Sequence, residues 1–269
     1  MNTEGHNVKL IALDLDGTLL RSDKTISDRT KEAVHRAQAQ GVVVAIATGR
    51  MYGTAKPCAD QLGLADIPMV LFSGSLIQTV ASGRKLFEQA ISRETATALL
   101  ALAKTKGWQM QTYIDDVLQV AVYDHWIAEY EQVTKAKAVV CGDGFYRPQG
   151  VCNKILSRGT HEDLLRRRQE IEAAFPGVFT MLFSEPTYLE IMPAGVNKGE
   201  GLRQLSRIFD VPMEQTMAVG DSQNDLDMLK AAGIAVAMGN ADREIQGAAD
   251  YVTASNDDDG VAAAIDRFI

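Results

Sequence analysis

Four polar side chains follow short apolar runs of the sequence directly. Asp14 and Asp16 follow one run, Thr48 follows a second and Asp221 a third. Two carboxylates separated by one residue project to the same side of an extended chain, so they can share nucleophilic and acid–base work on one substrate. Three carboxylates gathered at one place repel each other unless a cation lies among them, and oxygen ligands favour a hard ion such as Mg²⁺. These residues therefore predict metal-assisted chemistry on a phosphorylated small molecule.

The apolar runs predict the strands that must position these side chains. Residues 8–13, 42–47 and 69–72 are almost entirely apolar and stop abruptly at acid, hydroxyl or glycine residues. Such runs are typical of strands buried on both faces of a parallel sheet, and helical spacing over 27–40 separates the first two. We therefore predict an α/β fold with a doubly wound, Rossmann-like parallel sheet. The ligand site of such a sheet lies beyond the carboxyl ends of its strands.

The same pattern returns near the other end of the chain. Strands are predicted at 216–221, 234–238 and 251–253, and helices over 199–209 and 225–232. Between the two halves, the pattern changes to alternating stretches, which are typical of half-buried strands, and long helices.

Both halves are needed to complete one sheet, so we predict two domains. The core domain comprises residues 1–83 and 192–269, and an inserted α+β domain comprises residues 84–191.

Composition narrows the class of protein. The chain has 27 Lys and Arg against 35 Asp and Glu, a net charge of −8, which argues against a nucleic-acid partner. No segment has the length and apolarity of a membrane span, and the region 1–7 lacks the basic cluster of a secretory leader. The three cysteines show no metal-ligand spacing and indicate a reducing compartment. We expect a cytoplasmic protein with no membrane partner, and its oligomeric state stays open.

Four short motifs together resemble those of the haloacid dehalogenase (HAD) superfamily. The motifs, in order, are Asp14-Leu15-Asp16-Gly17-Thr18-Leu19-Leu20, Thr48-Gly49-Arg50, Lys198-Gly199 and Gly220-Asp221-Ser222-Gln223-Asn224-Asp225. The position and size of the predicted insertion are similar to the C2-type cap of the Cof-type subfamily, and the chain length is similar to that of its YidA-like sugar-phosphate phosphatases.

This resemblance implies roles for the first pair of acids. Asp14 is expected to attack phosphorus and form an aspartyl-phosphate, with its other oxygen on Mg²⁺. Asp16 is expected to protonate the leaving oxygen and then activate water, while its backbone carbonyl binds the metal. The second acid favours a phosphatase or phosphomutase over the dehalogenases of the superfamily, which lack it. The alternative for Asp14 is a cap of the turn at the strand end.

The resemblance also implies the remaining phosphate and metal contacts. Asp221 is expected to bind Mg²⁺ directly, and Asp225 to act from its outer shell. The residues expected to contact phosphate are Leu15 and Gly49 through their amides, and Thr48, Lys198 and Asn224 through their side chains. Thr48 could instead cap a strand end, and Asp225 could instead stabilise a helix N-terminus. The role of Arg50 stays open.

One motif departs from the pattern of the family. Ser73-Gly74-Ser75 stands where relatives commonly have Asn-Gly-Ala. We expect the chemical step to survive this difference and the choice of substrate to be affected. Substrate selectivity is expected to reside in the inserted domain, whose candidate residues are Tyr113, Asp115, Asp116, Asn153, Lys154 and Glu190.

The leading hypothesis is a Mg²⁺-dependent phosphatase of small phosphomonoesters, with sugar phosphates as the first candidates. A phosphatase of a phosphorylated cofactor, such as pyridoxal phosphate or flavin mononucleotide, and a sugar phosphomutase are alternatives. A non-catalytic protein that binds phosphorylated metabolites is disfavoured, since such a protein would be expected to lose Asp14 or Asp16 first.

Overall fold

The computed structural model describes residues 7–269 and divides into two compact units. The first contains the chain up to Arg50, Ala55–Phe87 and Asn197–Ile269, and the second contains Met51–Thr54 and Glu88–Val196. The predicted domain limits at 83/84 and 191/192 stay predictions. Most of the segment used above to argue against a leader, residues 1–6, lies outside the described residues. Within 7–269, no helix is both long and apolar enough to cross a membrane.

The described residues form fourteen strands and nine α-helices, together with five short 3-10 turns. The strands are β1 (Leu10–Leu13), β2 (Val43–Ile46), β3 (Pro68–Leu71), β4 (Leu76–Thr79), β5 (Lys85–Glu88), β6 (Met110–Ile114), β7 (Val117–Val120), β8 (Ala138–Val140), β9 (Lys154–Arg158), β10 (Phe179–Glu185), β11 (Tyr188–Pro193), β12 (Thr216–Gly220), β13 (Ile234–Ala237) and β14 (Tyr251–Val252). The helices are α1 (Asp28–Ala39), α2 (Tyr52–Gln61), α3 (Arg93–Lys106), α4 (His125–Thr134), α5 (His161–Ala174), α6 (Lys198–Phe209), α7 (Leu226–Ala231), α8 (Arg243–Gly247) and α9 (Gly260–Phe268).

A five-stranded parallel sheet forms the centre of the first unit, in the order β14-β13-β12-β1-β2. Leu10 pairs with both Thr216 and Val43, so β1 lies between one strand from each half of the chain. All four residues of β1 are buried, as the apolar run predicts. The parallel sheet confirms the predicted fold class. Because β1 and β12 are neighbours, the residues that follow them reach the same edge of the sheet.

The third predicted strand is present, but it does not join this ladder. β3 forms a separate sheet in the order β3-β4-β5, and it meets the end of β2 through one parallel bridge, Ala47 to Val70. A hydrogen bond of 2.8 Å from the Thr48 N–H to the Val70 carbonyl accompanies the bridge. This bond fixes the chain at Thr48, which is where the second motif begins.

Local capping explains where the main helices begin. The side chain of Ser27 accepts the N–H of Thr30 at the start of α1, and Asn197 accepts the N–H of Glu200 at the start of α6. α6 therefore begins at Lys198, one residue before the predicted start. The buried face of this helix includes Leu202 and Leu205, which belong to the apolar core of the first unit.

The second unit contains a six-stranded mixed sheet in the order β10-β11-β9-β6-β7-β8. Only the β7–β8 pair is parallel. Side chains from α3 and α5, such as Leu99 and Leu164, pack with Ile155 and Ile191 of the sheet in one apolar core. This α+β arrangement confirms the predicted fold class of the insertion.

A two-residue turn joins β6 to β7 in the second unit. Ile114 pairs with Val117, and Asp115 and Asp116 between them both have left-handed backbones, with φ of 48° and 61°. Two positive φ values are the requirement of a type I′ hairpin, and aspartate tolerates them better than most residues.

Candidate active site

A fully buried lysine lies at the centre of the site in the first unit. The Lys198 Nζ atom is 2.6 Å from Asp14 Oδ1, 2.6 Å from Asp225 Oδ1 and 3.2 Å from Asn224 Oδ1. Asp14 follows β1, Lys198 opens α6, and Asn224 and Asp225 lie in the turn after β12. The structure thus brings together residues from three of the four motifs.

Asp225 has a second set of partners on its other oxygen. Oδ2 accepts the backbone N–H groups of Asp221 and Ser222, both at 3.0 Å. The Ser222 side chain in turn accepts the N–H of Asp225, so the two residues form a capping box at the start of this turn. Asp225 therefore holds the turn and the ammonium group of Lys198 at the same time. The alternative role given for Asp225 from the sequence, stabilisation of a helix N-terminus, corresponds to its part in this capping box.

Asp221 lies against the loop that follows β1. Its Oδ1 accepts the hydroxyl of Thr18 at 2.7 Å. The backbone of Gly17 approaches so closely that an added Cβ would lie 2.3 Å from Asp221 Oδ2, and Gly17 has a φ of +82°. Only glycine meets both requirements without strain. The glycine of the first motif therefore lets the loop carrying Asp14 and Asp16 contact Asp221.

The three carboxylates together have the chemistry of a cation site. Ligand atoms of Asp14, Asp221 and Asp225 lie within 4.8 Å of one another. Burial, followed by repulsion from Asp225, raises the pKa of Asp221 to about 6, and the same two causes raise the pKa of Asp14 well above its ordinary value. Burial alone would lower the pKa of Lys198, but Asp14 and Asp225 outweigh it and raise that pKa. The cluster fits a metal site because a further cation would relieve this repulsion.

Asp16 lies in a different environment, close to two basic side chains. Arg50 donates from Nε to Asp16 Oδ2 and from Nη2 to Oδ1, each at 2.7 Å, and Lys24 Nζ is 3.1 Å from Oδ1. Burial by itself would raise the pKa of Asp16, but hydrogen bonds and charge from Arg50, with a smaller effect of Lys24, lower it. The two acids of the first motif therefore have pKa values shifted in opposite directions.

The predicted phosphate-binding residues of the first two motifs lie at the same strand ends. Thr48 is buried, and its Oγ1 accepts the N–H of Arg50 at 3.2 Å. Leu15 is buried, and its carbonyl accepts the N–H of Leu20 at 2.8 Å, which folds the loop back on itself. Gly49 lies between Thr48 and Arg50. Contact of these three residues with phosphate stays a prediction.

The Ser73-Gly74-Ser75 segment has an unusual backbone and is buried. Ser73 has a φ of 56°, and its N–H donates to the Thr48 carbonyl at 3.0 Å. Gly74 has a φ of +110°, and an added Cβ would lie 2.3 Å from the carbonyl oxygen of Asn197. The segment therefore packs against both the Thr48 strand end and the N-terminus of α6, where Lys198 lies.

Two of the candidate selectivity residues of the second unit pair with each other, and a third bonds to a neighbouring tyrosine. Lys154 Nζ is 3.0 Å from Glu190 Oε1, and both side chains are buried. The hydroxyl of buried Tyr113 shares a hydrogen bond with Tyr130.

The other three candidates bond to neighbouring backbone or side chains of the second unit or form its hairpin turn. Asn153 Nδ2 donates to Glu88 at 3.0 Å, and Asp116 accepts the N–H of Gly53 at 2.8 Å. Asp115 forms the β6–β7 turn with Asp116. Their roles in selectivity stay predictions.

Comparison with known proteins decides the family. A family model described as haloacid dehalogenase-like hydrolase matches residues 11–265. This chain belongs to that family. The HAD phosphatases named 5-amino-6-(5-phospho-D-ribitylamino)uracil phosphatase YcsE and YitU, both of Bacillus subtilis, are 31% and 32% identical to it over 268 and 266 residues. These alignments cover 99% of this chain and 98% of YcsE, and 96% of this chain and 97% of YitU.

Two solved structures of HAD proteins match the fold of this chain over nearly its whole length. A haloacid dehalogenase-like hydrolase from Bacteroides thetaiotaomicron has a TM-score of 0.89 at 32% identity, covering 97% of this chain and all of the other. A HAD subclass IIB sugar phosphatase has a TM-score of 0.83 at 26% identity, covering 97% and 99% of the two chains. The predicted superfamily and Cof-type subfamily are confirmed. This HAD protein is a phosphatase, a phosphoric monoester hydrolase, of small phosphorylated metabolites.

Two residues that contact the acids of the site were missed in the sequence analysis, Thr18 on Asp221 and Lys24 on Asp16. A third, Arg50, was left without a role. Thr18 belongs to the first motif, and its hydroxyl on Asp221 could have been inferred from that position. Arg50 was noted only as the end of the second motif. Lys24 carries no sequence signal, because its approach to Asp16 depends on a turn between them.

Proposed function

We propose that this phosphatase hydrolyses small phosphomonoesters, with sugar phosphates first, by Mg²⁺-dependent chemistry through an aspartyl-phosphate on Asp14. The observation that carries the proposal is the contact of Lys198 with Asp14 and Asp225 beside Asp221. The B. subtilis relatives are named for a phosphorylated ribityl compound, and a structural relative is named as a sugar phosphatase. Three free cysteines support a reducing, cytoplasmic compartment.

In the first step, an Asp14 carboxylate oxygen attacks phosphorus. The bond between that oxygen and phosphorus forms as the bond to the leaving oxygen breaks. The leaving oxygen takes a proton from Asp16, which must be protonated in the substrate complex although Arg50 and Lys24 lower its pKa in the free protein. Lys198 holds the attacking carboxylate through the 2.6 Å contact and offsets negative charge on the phosphoryl group. Thr48, Asn224 and the amides of Leu15 and Gly49 bind the phosphate oxygens.

In the second step, Asp16 takes a proton from water as the water oxygen attacks phosphorus. The bond between Asp14 and phosphorus breaks, which releases inorganic phosphate and restores the free carboxylate. Asp14, Asp221 and the backbone carbonyl of Asp16 would hold Mg²⁺, with Asp225 in its outer shell. The ion, when bound, supplies positive charge that neutralises the carboxylates and phosphate oxygens.

Phosphate release from a panel of phosphorylated compounds tests this function. The panel contains hexose and pentose phosphates, nucleotides, pyridoxal phosphate and flavin mononucleotide, each with Mg²⁺ and with a chelator. We expect metal-dependent release concentrated on the sugar phosphates. Release concentrated on the two cofactors would identify the alternative phosphatase, and a rearranged phosphorylated product without free phosphate would identify a mutase.

Replacement of the nucleophile tests the mechanism. Asp14→Asn should lower kcat by at least about 10³-fold, because the amide cannot form the aspartyl-phosphate. Asp60→Asn is the matched control, since Asp60 also lies 2.6 Å from a lysine, Lys56, but on the exposed part of α2. Substantial turnover by a folded Asp14→Asn protein would contradict the assignment of the nucleophile.

A further inference from the structure

Two basic side chains bind a single carboxylate beside the proposed reaction centre. Arg50 contacts both oxygens of Asp16 with two parallel hydrogen bonds, and Lys24 contacts Oδ1 from another direction. Arg50, Lys24 and Asp16 together therefore carry two positive charges and one negative charge. In the cluster around Lys198, by contrast, two carboxylates contact one ammonium group and a third carboxylate lies beside them.

Lys24 is held in place by a braced turn. The Lys24 N–H donates to the Arg21 carbonyl at 2.9 Å, and the Ser22 N–H donates to Asp257 at 2.9 Å. Arg21 is paired with Asp259 at 2.8 Å. Lys24 itself has a φ of 66°, in the left-handed region that lysine rarely adopts and that is enriched at ligand sites.

Arg50 is anchored through its backbone. Its N–H donates to Thr48 Oγ1, and its carbonyl accepts the N–H of Phe72 at 3.1 Å. Its side chain is 15% exposed, whereas that of Lys24 is 49% exposed. The two cations therefore approach Asp16 from fixed backbone positions, one largely buried and one open to solvent.

In the proposed reaction, the leaving oxygen must contact a carboxylate oxygen of Asp16. Arg50 contacts both oxygens and Lys24 also contacts Oδ1, so three of the about four lone pairs of this carboxylate are filled, and the leaving oxygen meets Asp16 next to both cations. The two cations therefore lie beside the leaving portion of the substrate. An anion on that portion would pair with Lys24 and Arg50 while Asp16 contacts the leaving oxygen.

Building on the proposed function, we propose that Lys24 and Arg50 form a subsite for a second anionic group, a carboxylate or phosphate, on the leaving portion of the substrate. The preferred substrates are then phosphomonoesters with a second anion a few bonds from the ester oxygen, such as phosphorylated sugar acids and bisphosphates. Lys24 determines specificity, and Arg50 in addition positions Asp16.

Two matched substrate pairs test the subsite. 3-Phosphoglycerate differs from glycerol 3-phosphate, and 6-phosphogluconate from glucitol 6-phosphate, by a carboxylate in place of a hydroxymethyl group. The wild-type enzyme should favour the acidic member of each pair by about tenfold in kcat/KM. Fructose 1,6-bisphosphate against fructose 6-phosphate gives the same comparison for a second phosphate.

Lys24→Gln should reduce this preference to about twofold, because kcat/KM falls more for the acidic substrates than for the neutral ones, and Lys24→Arg should retain the preference. Lys31→Gln is the matched control, because Lys31 also pairs with an aspartate, Asp28, at 3.1 Å but on the surface of α1. Melting temperatures of all variants establish that they fold.

Two results would overturn the subsite. One is a wild-type preference near unity while both members of each pair are hydrolysed. The other is an equal loss on both members in Lys24→Gln, which would make Lys24 only a support for Asp16. Either leaves the proposed function intact, whereas failure to hydrolyse any substrate of these pairs or of the earlier panel would overturn the function itself.

Discussion

The two units each bury a lysine against carboxylates, but in different ways. In the first unit, Lys198 contacts Asp14 and Asp225 at the ends of the parallel strands, and Asp221 lies beside them. In the second unit, Lys154 contacts Glu190 between two neighbouring antiparallel strands of the mixed sheet, β9 and β11. The first cluster has an excess of negative charge and lies on the segments that follow β1 and β12 and at the first residue of α6. The second joins a lysine to a glutamate on neighbouring strands.

The two lysine clusters differ in what their net charge requires of the surroundings. Excess buried charge is costly to the fold and is kept where a ligand or cation compensates it. A balanced pair inside a sheet needs no ligand, and its removal as a pair should be tolerated. Burial of a lysine by itself therefore indicates little about function, and its charge balance and position indicate more.

Replacement of the two lysines should have the largest effects, and these effects should differ between the two units. Lys198→Met should lower kcat by about 10³-fold, since it removes the cation facing the phosphoryl group. Lys154→Met should destabilise the fold by about 3–5 kcal/mol, because buried Glu190 loses the ammonium group that contacts it, with little loss of kcat per folded molecule. Steady-state kinetics and denaturant unfolding measure the two effects.

Double variants provide the controls for this prediction. Lys154→Met with Glu190→Leu should recover most of the stability and keep the activity. Lys198→Met with Asp225→Asn should recover stability without activity. If the Lys154 double variant were stable but inactive, the pair would serve the substrate selectivity predicted for it rather than the fold alone.

The pH dependence of stability should differ between the two regions. A carboxyl whose pKa is raised on folding keeps its proton in the native state, so the metal-free fold loses stability as pH rises from the ordinary value of 3.8 to about 6 for Asp221. Mg²⁺ should therefore raise the melting temperature more at about pH 7.5 than at about pH 5, when scanning calorimetry compares it with a chelator.

Two variants test whether the carboxylate cluster is the source of the stabilisation by Mg²⁺. Asp221→Asn should remove most of the stabilisation by Mg²⁺ at the higher pH. The Lys154→Met, Glu190→Leu variant should retain it in full. An equal response of the melting temperature at both pH values in the wild-type protein would show that the crowded carboxylates are not the metal site.

Helix caps give the smallest expected effects. Asn197→Ala should cost about 1 kcal/mol of stability and lower kcat several-fold, because Asn197 caps the helix that opens with Lys198. Ser92→Ala removes a similar cap from α3 of the second unit and should cost about the same stability without changing kcat. Equal kinetic effects of the two variants would argue that the start of α6 is not critical for positioning Lys198.

Much of the core could be predicted from the sequence because the parallel strands are short, apolar and bounded by polar residues. Leu10–Leu13 and Thr216–Gly220 both lie where the apolar runs place them. The apolar run 69–72 predicts a strand, which the structure has at Pro68–Leu71. Its separation from the main ladder was not predicted, since a hydrophobic run does not specify its neighbour.

The fold class, the family and the residues of the four motifs could all be predicted from the sequence. This was possible because strand ends and motif spacing are local properties of the chain. Tertiary structure alone decided the approach of Lys24 and Arg50 to Asp16, the burial of Lys154 with Glu190, and the contact of Gly74 with Asn197. These contacts join side chains through turns and strand pairings, whose geometry is set by packing across the whole molecule rather than by any local pattern.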